Sequence, residues 1–194
     1  MGAVFFCLGL LLPSTNLIFN GDFSFGATGF ESDHKPVGME ENALFPEGTF
    51  SVTNQTQKPM LNVCGIADYR DHTTGDGNFL LVNGATFSNS LVWRQQITGL
   101  EIGQTYRFNF WLSRWTPNGG PSAQLRIFQG KNILAEVQDP KEPGFWEPHT
   151  MDFVATSTTE TLEIRNMESA SSGNDFALDD LELIKYVPIP GGLR

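Results

Sequence analysis

The sequence predicts an all-β fold, namely a jelly-roll β-sandwich of about eight or more antiparallel strands. Two observations support this prediction: short segments with period-two alternation recur along the chain, and clusters of turn-forming residues separate them. Patterns typical of amphipathic helices are almost absent. Short strands joined by turns at regular spacing are typical of a sandwich rather than of an α/β fold.

The strand segments follow one another from residue 49 to residue 184. In chain order they are TFSVTN (49–54), NFLLVNG (78–84), SLVWRQQITGL (90–100), QTYRFNFWLSRW (104–115), AQLRIFQG (123–130), HTMDFVAT (149–156), ETLEIRNM (160–167) and FALDDLELI (176–184). Gly, Pro, Asn, Asp and Ser residues mark turns at 75–78, 117–120, 129–132 and 171–174. No internal repeat or linker divides the chain, so a single domain over 16–185 is expected.

The two ends of the chain differ from this pattern. Residues 1–15 contain an apolar run of about a dozen residues, the length of a signal-peptide core and too short to span a bilayer as a helix. The basic residues that usually precede such a run are missing, and a buried first strand is the alternative. With Cys7 in the signal, only Cys64 would remain, so no intrachain disulfide is expected. Residues 186–194 are rich in Pro and Gly and are expected to be unpacked.

The charge balance excludes some partners. The chain has 12 Lys and Arg residues and 22 Asp and Glu residues, which gives a formal net charge of −10 and a pI of about 4.6. Such a surface repels phosphate backbones and anionic lipids, so nucleic acid is not expected as a partner. Neutral sugars and cations are compatible with it. The signal-like start indicates a secreted, extracellular or cell-surface protein without a membrane span in this chain.

The segment 104–115 carries the clearest candidate binding surface. Four alternating residues are expected to face the core: Tyr106, Phe108, Phe110 and Leu112. The opposite face would carry Arg107, Asn109, Trp111, Ser113 and Trp115. If the next strand pairs with this one, it adds Gln124 and Arg126 to the same surface. Tryptophan beside amide and guanidinium groups suits an oligo- or polysaccharide, whose C–H faces stack on aromatic rings. Alternatively, the loops 55–77 and 131–148 bury Trp111 and Trp115 as a second small core.

Two adjacent carboxylates interrupt the last strand. Neighbouring residues of a strand point to opposite faces, so at least one of Asp179 and Asp180 is expected to face the protein interior. A buried carboxylate needs a partner. Backbone N–H groups of a neighbouring turn or the side chain of Arg165 could fill this role for Asp179, with Asp180 facing water.

The segment NLIFNGDFSFGATGF (16–30) resembles the first strand and turn of the jelly-roll carbohydrate-binding modules attached to bacterial xylanases and cellulases, in the galactose-binding-like superfamily. Three further segments are similar to exported bacterial proteins of the same fold: DHTTGDGNFLLVNG (71–84), VWRQQITGLEIGQTYRFNFWLS (92–113) and SGNDFALDDLEL (172–183). The Val-Pro-Ile-Pro element (187–190) resembles the beginning of a C-terminal sorting tail. The resemblance implies the fold. It implies the function less closely, because this fold serves sugar binding, adhesion and scaffolding.

The same resemblance implies a structural Ca²⁺ site. In such modules the Asp-Asp strand contributes a carboxylate, and the N-terminal strand and turn contribute further oxygens. The matching residue here is Asp180, with Asp22 or the backbone of 20–24 nearby. The Glu usual in the family is Ser24 in this chain, which removes one expected ligand.

Three functions are therefore in competition. The first is a non-catalytic carbohydrate-binding module, with Asp71 and His72 at the rim of the site. The second is a structural or adhesive surface protein that contacts other cell-surface components and has no sugar site. The third is a hydrolase that uses Asp71, His72 and nearby acids, which requires these side chains to converge in one cleft.

Overall fold

The computed structural model describes residues 15–56, 59, 70–116 and 120–186, and it confirms the all-β jelly-roll sandwich. Ten strands are present in these ranges: β1 (Lys35–Pro36), β2 (Thr49–Thr53), β3 (Phe79–Asn83), β4 (Ser90–Thr98), β5 (Thr105–Arg114), β6 (Gln124–Gln129), β7 (Asn132–Gln138), β8 (Trp146–Val154), β9 (Thr159–Asn166) and β10 (Phe176–Lys185). The predicted signal peptide, both cysteines and the predicted sorting tail lie outside the described residues.

The strands form one sheet of six, in the order β1-β2-β3-β10-β5-β8, and one of four, in the order β4-β9-β6-β7. Adjacent strands are antiparallel except for the parallel pair β1 and β2. From β3 onward the chain passes to the opposite sheet at almost every connection, and only β6 and β7 form a hairpin within one sheet. Consecutive strands therefore seldom share a face.

This crossing corrects one prediction about the binding surface. Strand β5 belongs to the six-stranded sheet and β6 to the four-stranded sheet, so the two do not pair. Gln124 and Arg126 lie on β6, where Gln124 contacts Gln138 and Arg126 pairs with Glu136. They are therefore not part of the surface that carries Trp111.

The main core fills the space between the sheets. The predicted inward residues of β5 are all buried: Tyr106, Phe108, Phe110 and Leu112. Ala123, Leu125 and Ile127 face them from the other sheet and are also buried. The period-two pattern thus correctly predicted which face of each strand is buried.

A second, smaller core lies on the outer face of the six-stranded sheet. It contains Leu44, Phe79, Leu81, Trp115 and Ala177, with Val37 and Trp146 packed against it. Trp115 is only 1% exposed, and its indole N–H donates to the Val82 carbonyl at 2.9 Å. The prediction that Trp115 stacks on a ligand is wrong, and the alternative of a second small core holds for this residue.

Two local predictions also differ from the structure. Residues 132–138 form strand β7 instead of part of a loop. This strand lies at the edge of the four-stranded sheet, and most of its side chains are exposed. Its sequence therefore shows no clear alternation between an apolar and a polar face, which is why it was not predicted as a strand. Residues 16–30 form turns rather than a strand, held by backbone bonds such as Leu17 N–H to the Leu183 carbonyl. Within the described residues, no helix is long and apolar enough to cross a bilayer.

Candidate functional site

A cavity with a volume of about 570 Å³ lies where β5, β8 and β10 meet the N-terminal turn. Seven polar residues line it: Asn16, Asp22, Asn109, His149, Thr150, Asp180 and Glu182. Trp111 and Pro148 contribute apolar surface. A concave site with an aromatic wall and a few polar groups is the usual form of a small-ligand site.

A β-bulge in β10 creates one wall of this cavity. Asp179 pairs with Trp111 and Glu182 pairs with Asn109, so β10 has one residue more than β5 between these pairs. Asp180 lies in the bulge with a φ of 49°. Such an insertion re-aims side chains, and here both adjacent carboxylates reach the loop at 71–74.

The N-terminal turn forms the adjoining wall, and its backbone lies directly against the bulge. The Leu181 N–H donates to the Gly21 carbonyl at 2.9 Å. A Cβ at Gly21 would lie 1.9 Å from the Leu181 carbonyl oxygen, so only glycine permits this approach. The side chain of Asn16 ties the same segments together, since it donates to Leu181 and accepts from the Leu183 N–H.

The partner of the two aspartates is the loop that contains His72. The Asp179 carboxylate accepts the backbone N–H of His72 at 2.8 Å, while Nδ1 of His72 lies 2.7 Å from Asp180 Oδ2. The Thr73 hydroxyl donates to that same Asp180 oxygen. The predicted turn N–H partner of Asp179 is therefore confirmed, whereas Arg165 pairs with Glu163 instead.

Asp179 is only 1% exposed, and its environment disfavours a charge. Burial raises its pKa to about 8, and the nearby Asp180 carboxylate adds to the increase, although the N–H groups of His72 and Asp180 oppose it. The prediction that Asp180 only faces water is wrong, because His72 and Thr73 both contact it.

Trp111 is half-buried and is held in place by His72. The two rings stack with centroids 3.5 Å apart and planes 19° from parallel. Because His72 is itself anchored to both aspartates, the indole orientation depends on the whole cluster. His72, which was predicted at the rim of the site, is not among the residues that line the cavity and contacts the indole of Trp111 instead.

A short chain of hydrogen bonds orders the polar wall. The Thr150 hydroxyl donates to Asn109 Oδ1 at 2.9 Å, and Asn109 Nδ2 donates to Glu182 Oε2 at 2.9 Å. Asn109, which the sequence assigned to the binding surface, lines this cavity, as do Thr150 and Glu182, which the sequence analysis did not include. Leu178, Leu181 and Leu183 are all buried. A regular strand buries every second residue, so the step of three residues from Leu178 to Leu181 is the sequence signal for the bulge, and Glu182 consequently points outward.

Two other predicted residues have local partners. Arg107 forms a two-bond ion pair with Asp152 at 2.7 and 2.9 Å, lies over the Tyr186 ring and does not line the cavity. The Asp71 carboxylate accepts hydrogen bonds from Thr74 and from the Gly77 N–H, which closes the turn. Burial opposes ionisation of Asp71, but these hydrogen bonds outweigh it and lower its pKa.

The residues assigned to calcium by resemblance are only partly assembled. Asp22 and Asp180 line the same cavity, whereas the Ser24 hydroxyl donates to Asp22 Oδ1 at 2.9 Å. In the described part of the chain, no group of three or more His, Cys, Asp and Glu side chains lies close enough to share a metal. A calcium ion would need backbone carbonyl and water oxygens to reach six to eight ligands, and the Ca²⁺ site stays a prediction.

No protein-family profile matches the chain. In sequence it is similar to Halomucin of Haloquadratum walsbyi, with 24% identity over 173 residues. The match covers 88% of this chain but 2% of Halomucin, so the chain spans a small fraction of the curated relative that it matches.

Solved structures match over most of the chain. The TmCBM61 module in complex with β-1,4-galactotriose has a TM-score of 0.53 and 14% identity, covering 89% of this chain and all of that one. The CBM22-1–GH10 modules of Clostridium thermocellum xylanase 10B with xylohexaose have a TM-score of 0.53 and 12% identity, covering 88% and 29%. A cyclase from Fischerella sp. TAU has a TM-score of 0.55 and 13% identity, covering 88% and 96%.

At these identities the similarity concerns the fold alone, because carbohydrate-binding modules and a cyclase share it. The chain therefore has the jelly-roll fold that these carbohydrate-binding modules and the cyclase share, as its N-terminal and Asp-Asp segments indicated.

Proposed function

We propose that this protein binds a carbohydrate, without transforming it, in the cavity between β5, β8, β10 and the N-terminal turn. The observation that carries this proposal is the combination of Trp111 with hydroxyl, amide and carboxylate groups around one concave space. Sugars match such a site because each ring has an apolar C–H face and a rim of hydroxyls. The fold shared with TmCBM61, whose structure contains β-1,4-galactotriose, supports the proposal.

In this binding mode the sugar packs against the part of Trp111 that lines the cavity. Glu182 and Asp22 accept hydrogen bonds from sugar hydroxyls. Asn109 orients the Glu182 carboxylate by donating to it, and Thr150 in turn orients Asn109. One aromatic contact contributes about 1 kcal/mol, so a short glycan is expected to bind with a Kd in the micromolar to millimolar range. His72 acts as a positioning residue, since it holds the indole rather than the ligand.

The absence of catalysis is part of the proposal. A hydrolase built on Asp71 and His72 needs both side chains to converge on substrate. Instead, Asp71 closes its own turn, and His72 is bonded to Asp180 and stacked on Trp111. Incubating the protein with the glycans that it binds and following release of reducing ends tests this point, and turnover would contradict it.

A second candidate is a structural or adhesive unit of a long surface polypeptide. The match to a 2% portion of Halomucin favours it, because this match covers 88% of the chain. On either candidate the protein acts outside the cell. The two candidates differ in whether the isolated chain binds a glycan at the cavity.

The test is a polysaccharide and glycan screen with the 194-residue chain, followed by calorimetric titration of Trp111→Ala. The matched control is Phe128→Ala, which removes an aromatic ring from β6 in the other sheet. We expect Trp111→Ala to weaken binding by about fivefold or more and Phe128→Ala to bind like the wild type. Unchanged binding by folded Trp111→Ala would remove this site, and no binding by the wild type would favour the structural unit.

A further inference from the structure

The cavity has an unusual charge for a polar binding site. Three carboxylates line it, those of Asp22, Asp180 and Glu182, and no Lys or Arg among the described residues does so. His149 also lines it, but burial lowers the pKa of this imidazole and so disfavours its positive charge. Among the described residues, Asp180 is the one carboxylate of the three with a basic partner, His72. In the described part of the chain, Asp22 and Glu182 form no ion pair, and their identified donors are the neutral Ser24 and Asn109.

The hydrogen-bonding groups of the cavity are also unbalanced. Each ionised carboxylate only accepts hydrogen bonds and has room for several donors. The amide donors are partly occupied, because Asn109 Nδ2 donates to Glu182 and Asn16 Nδ2 donates to the Leu181 carbonyl. A ligand that fits this wall must therefore supply donors, which hydroxyl and ammonium groups do and which carboxylate and sulfate groups do not.

The surrounding charge acts in the same direction. The whole chain has a formal net charge of −10, although the buried Asp179 beside Asp180 adds no negative charge below its raised pKa of about 8. A negatively charged ligand would approach against this potential, whereas a positively charged ligand would be attracted.

We infer that the site selects glycans by charge: it prefers glycans with free amino groups, accepts uncharged ones and excludes uronates and sulfated sugars. The inference rests on the proposed carbohydrate-binding function and specifies its ligand class. Glu182 is the main specificity-determining residue, because its carboxylate lines the cavity, accepts a hydrogen bond from the neutral Asn109 and lacks a cationic partner in the described ranges.

The experiment compares three β-1,4-linked tetramers that differ in the charged group: cellotetraose, its glucosamine counterpart and its glucuronic acid counterpart. Binding is measured by titration calorimetry near pH 6 at low salt. We expect affinity to fall in the order glucosamine, glucose, glucuronic acid, with at least about a tenfold difference between the two charged ligands. Roughly 0.5 M NaCl should reduce this difference because it screens the charges.

Two variants separate local charge from net charge. Glu182→Gln keeps the shape and one acceptor for Asn109 and should reduce the difference between the charged tetramers by roughly threefold. Glu136→Gln changes the net charge equally on the other sheet, where Glu136 pairs with Arg126, and should preserve the difference. Equal binding of the three tetramers, or no effect of Glu182→Gln, overturns this inference alone. Failure of the folded chain to bind any of the three counts against carbohydrate binding itself.

Discussion

The buried carboxylate of Asp179 predicts a stability that decreases as pH rises. Its pKa is raised from an ordinary value of 3.8 to about 8, first by burial and then by the adjacent Asp180. The folded chain therefore holds this proton more tightly than the unfolded chain does. The resulting stabilisation is complete below about pH 4 and is lost as pH rises through about 8.

The size of the effect follows from the same values. Each pH unit between the two pKa values changes the free energy of unfolding by about 1.4 kcal/mol. Ionisation of Asp179 should therefore lower the free energy of unfolding by at most about 3 kcal/mol between pH 5 and pH 7. For a domain of this size that corresponds to a decrease in melting temperature of roughly 6–12 °C.

The perturbation is Asp179→Asn, which removes the titration but keeps one oxygen. Both Asp179 oxygens accept N–H groups, one from His72 and one from Asp180, so the amide loses one of these bonds and the variant is less stable at pH 5. Its melting temperature should nevertheless vary less with pH than that of the wild type. Asp175 also has a raised pKa, of about 7, so the comparison between the two proteins isolates the contribution of Asp179.

The assay is thermal unfolding followed by circular dichroism from pH 4.5 to pH 8. Leu178→Ala is the control, because it removes a buried side chain from the same strand without changing a titratable group. It should lower the melting temperature at every pH and keep the wild-type slope. The reasoning is refuted if Asp179→Asn and the wild type lose stability in parallel over this range.

Three further predictions concern the cavity and its surroundings. Gly21→Ala should destabilise the chain by about 1–3 kcal/mol, because its Cβ would lie 1.9 Å from the Leu181 carbonyl oxygen; an unchanged denaturation midpoint would contradict this. Arg107→Gln should change glycan affinity by less than about twofold, because Arg107 is paired with Asp152 outside the cavity and such exposed pairs contribute little to stability; a larger loss of affinity in calorimetry would show that Arg107 contacts the glycan. Calcium at about 100 times its Kd should stabilise the wild type by roughly 2.7 kcal/mol and leave Asp180→Asn unaffected; a thermal shift that persists in this variant would place the ion elsewhere.

The sequence by itself determined the fold class and the buried face of most strands. Period-two alternation is a local property, because successive side chains of any strand point to opposite sides. Phe108 and Leu125 could therefore be assigned to the core without knowing which strands pair. The resemblance of 16–30 and of 172–183 to jelly-roll modules correctly indicated the arrangement that joins these strands.

The composition of the site was decided by the tertiary structure. Alternation predicts which face of a strand a side chain lies on, but not which strands are adjacent. Gln124 and Arg126 of β6 were therefore assigned to the surface of β5, although β5 and β6 belong to different sheets. It also cannot distinguish an outward tryptophan that meets solvent from one that another segment covers, and Trp115 is covered. The bulge at Asp180 inserts one residue into the alternation, which brings both aspartates to the His72 loop. Each of these outcomes depends on contacts between residues far apart in the chain, which local periodicity does not record.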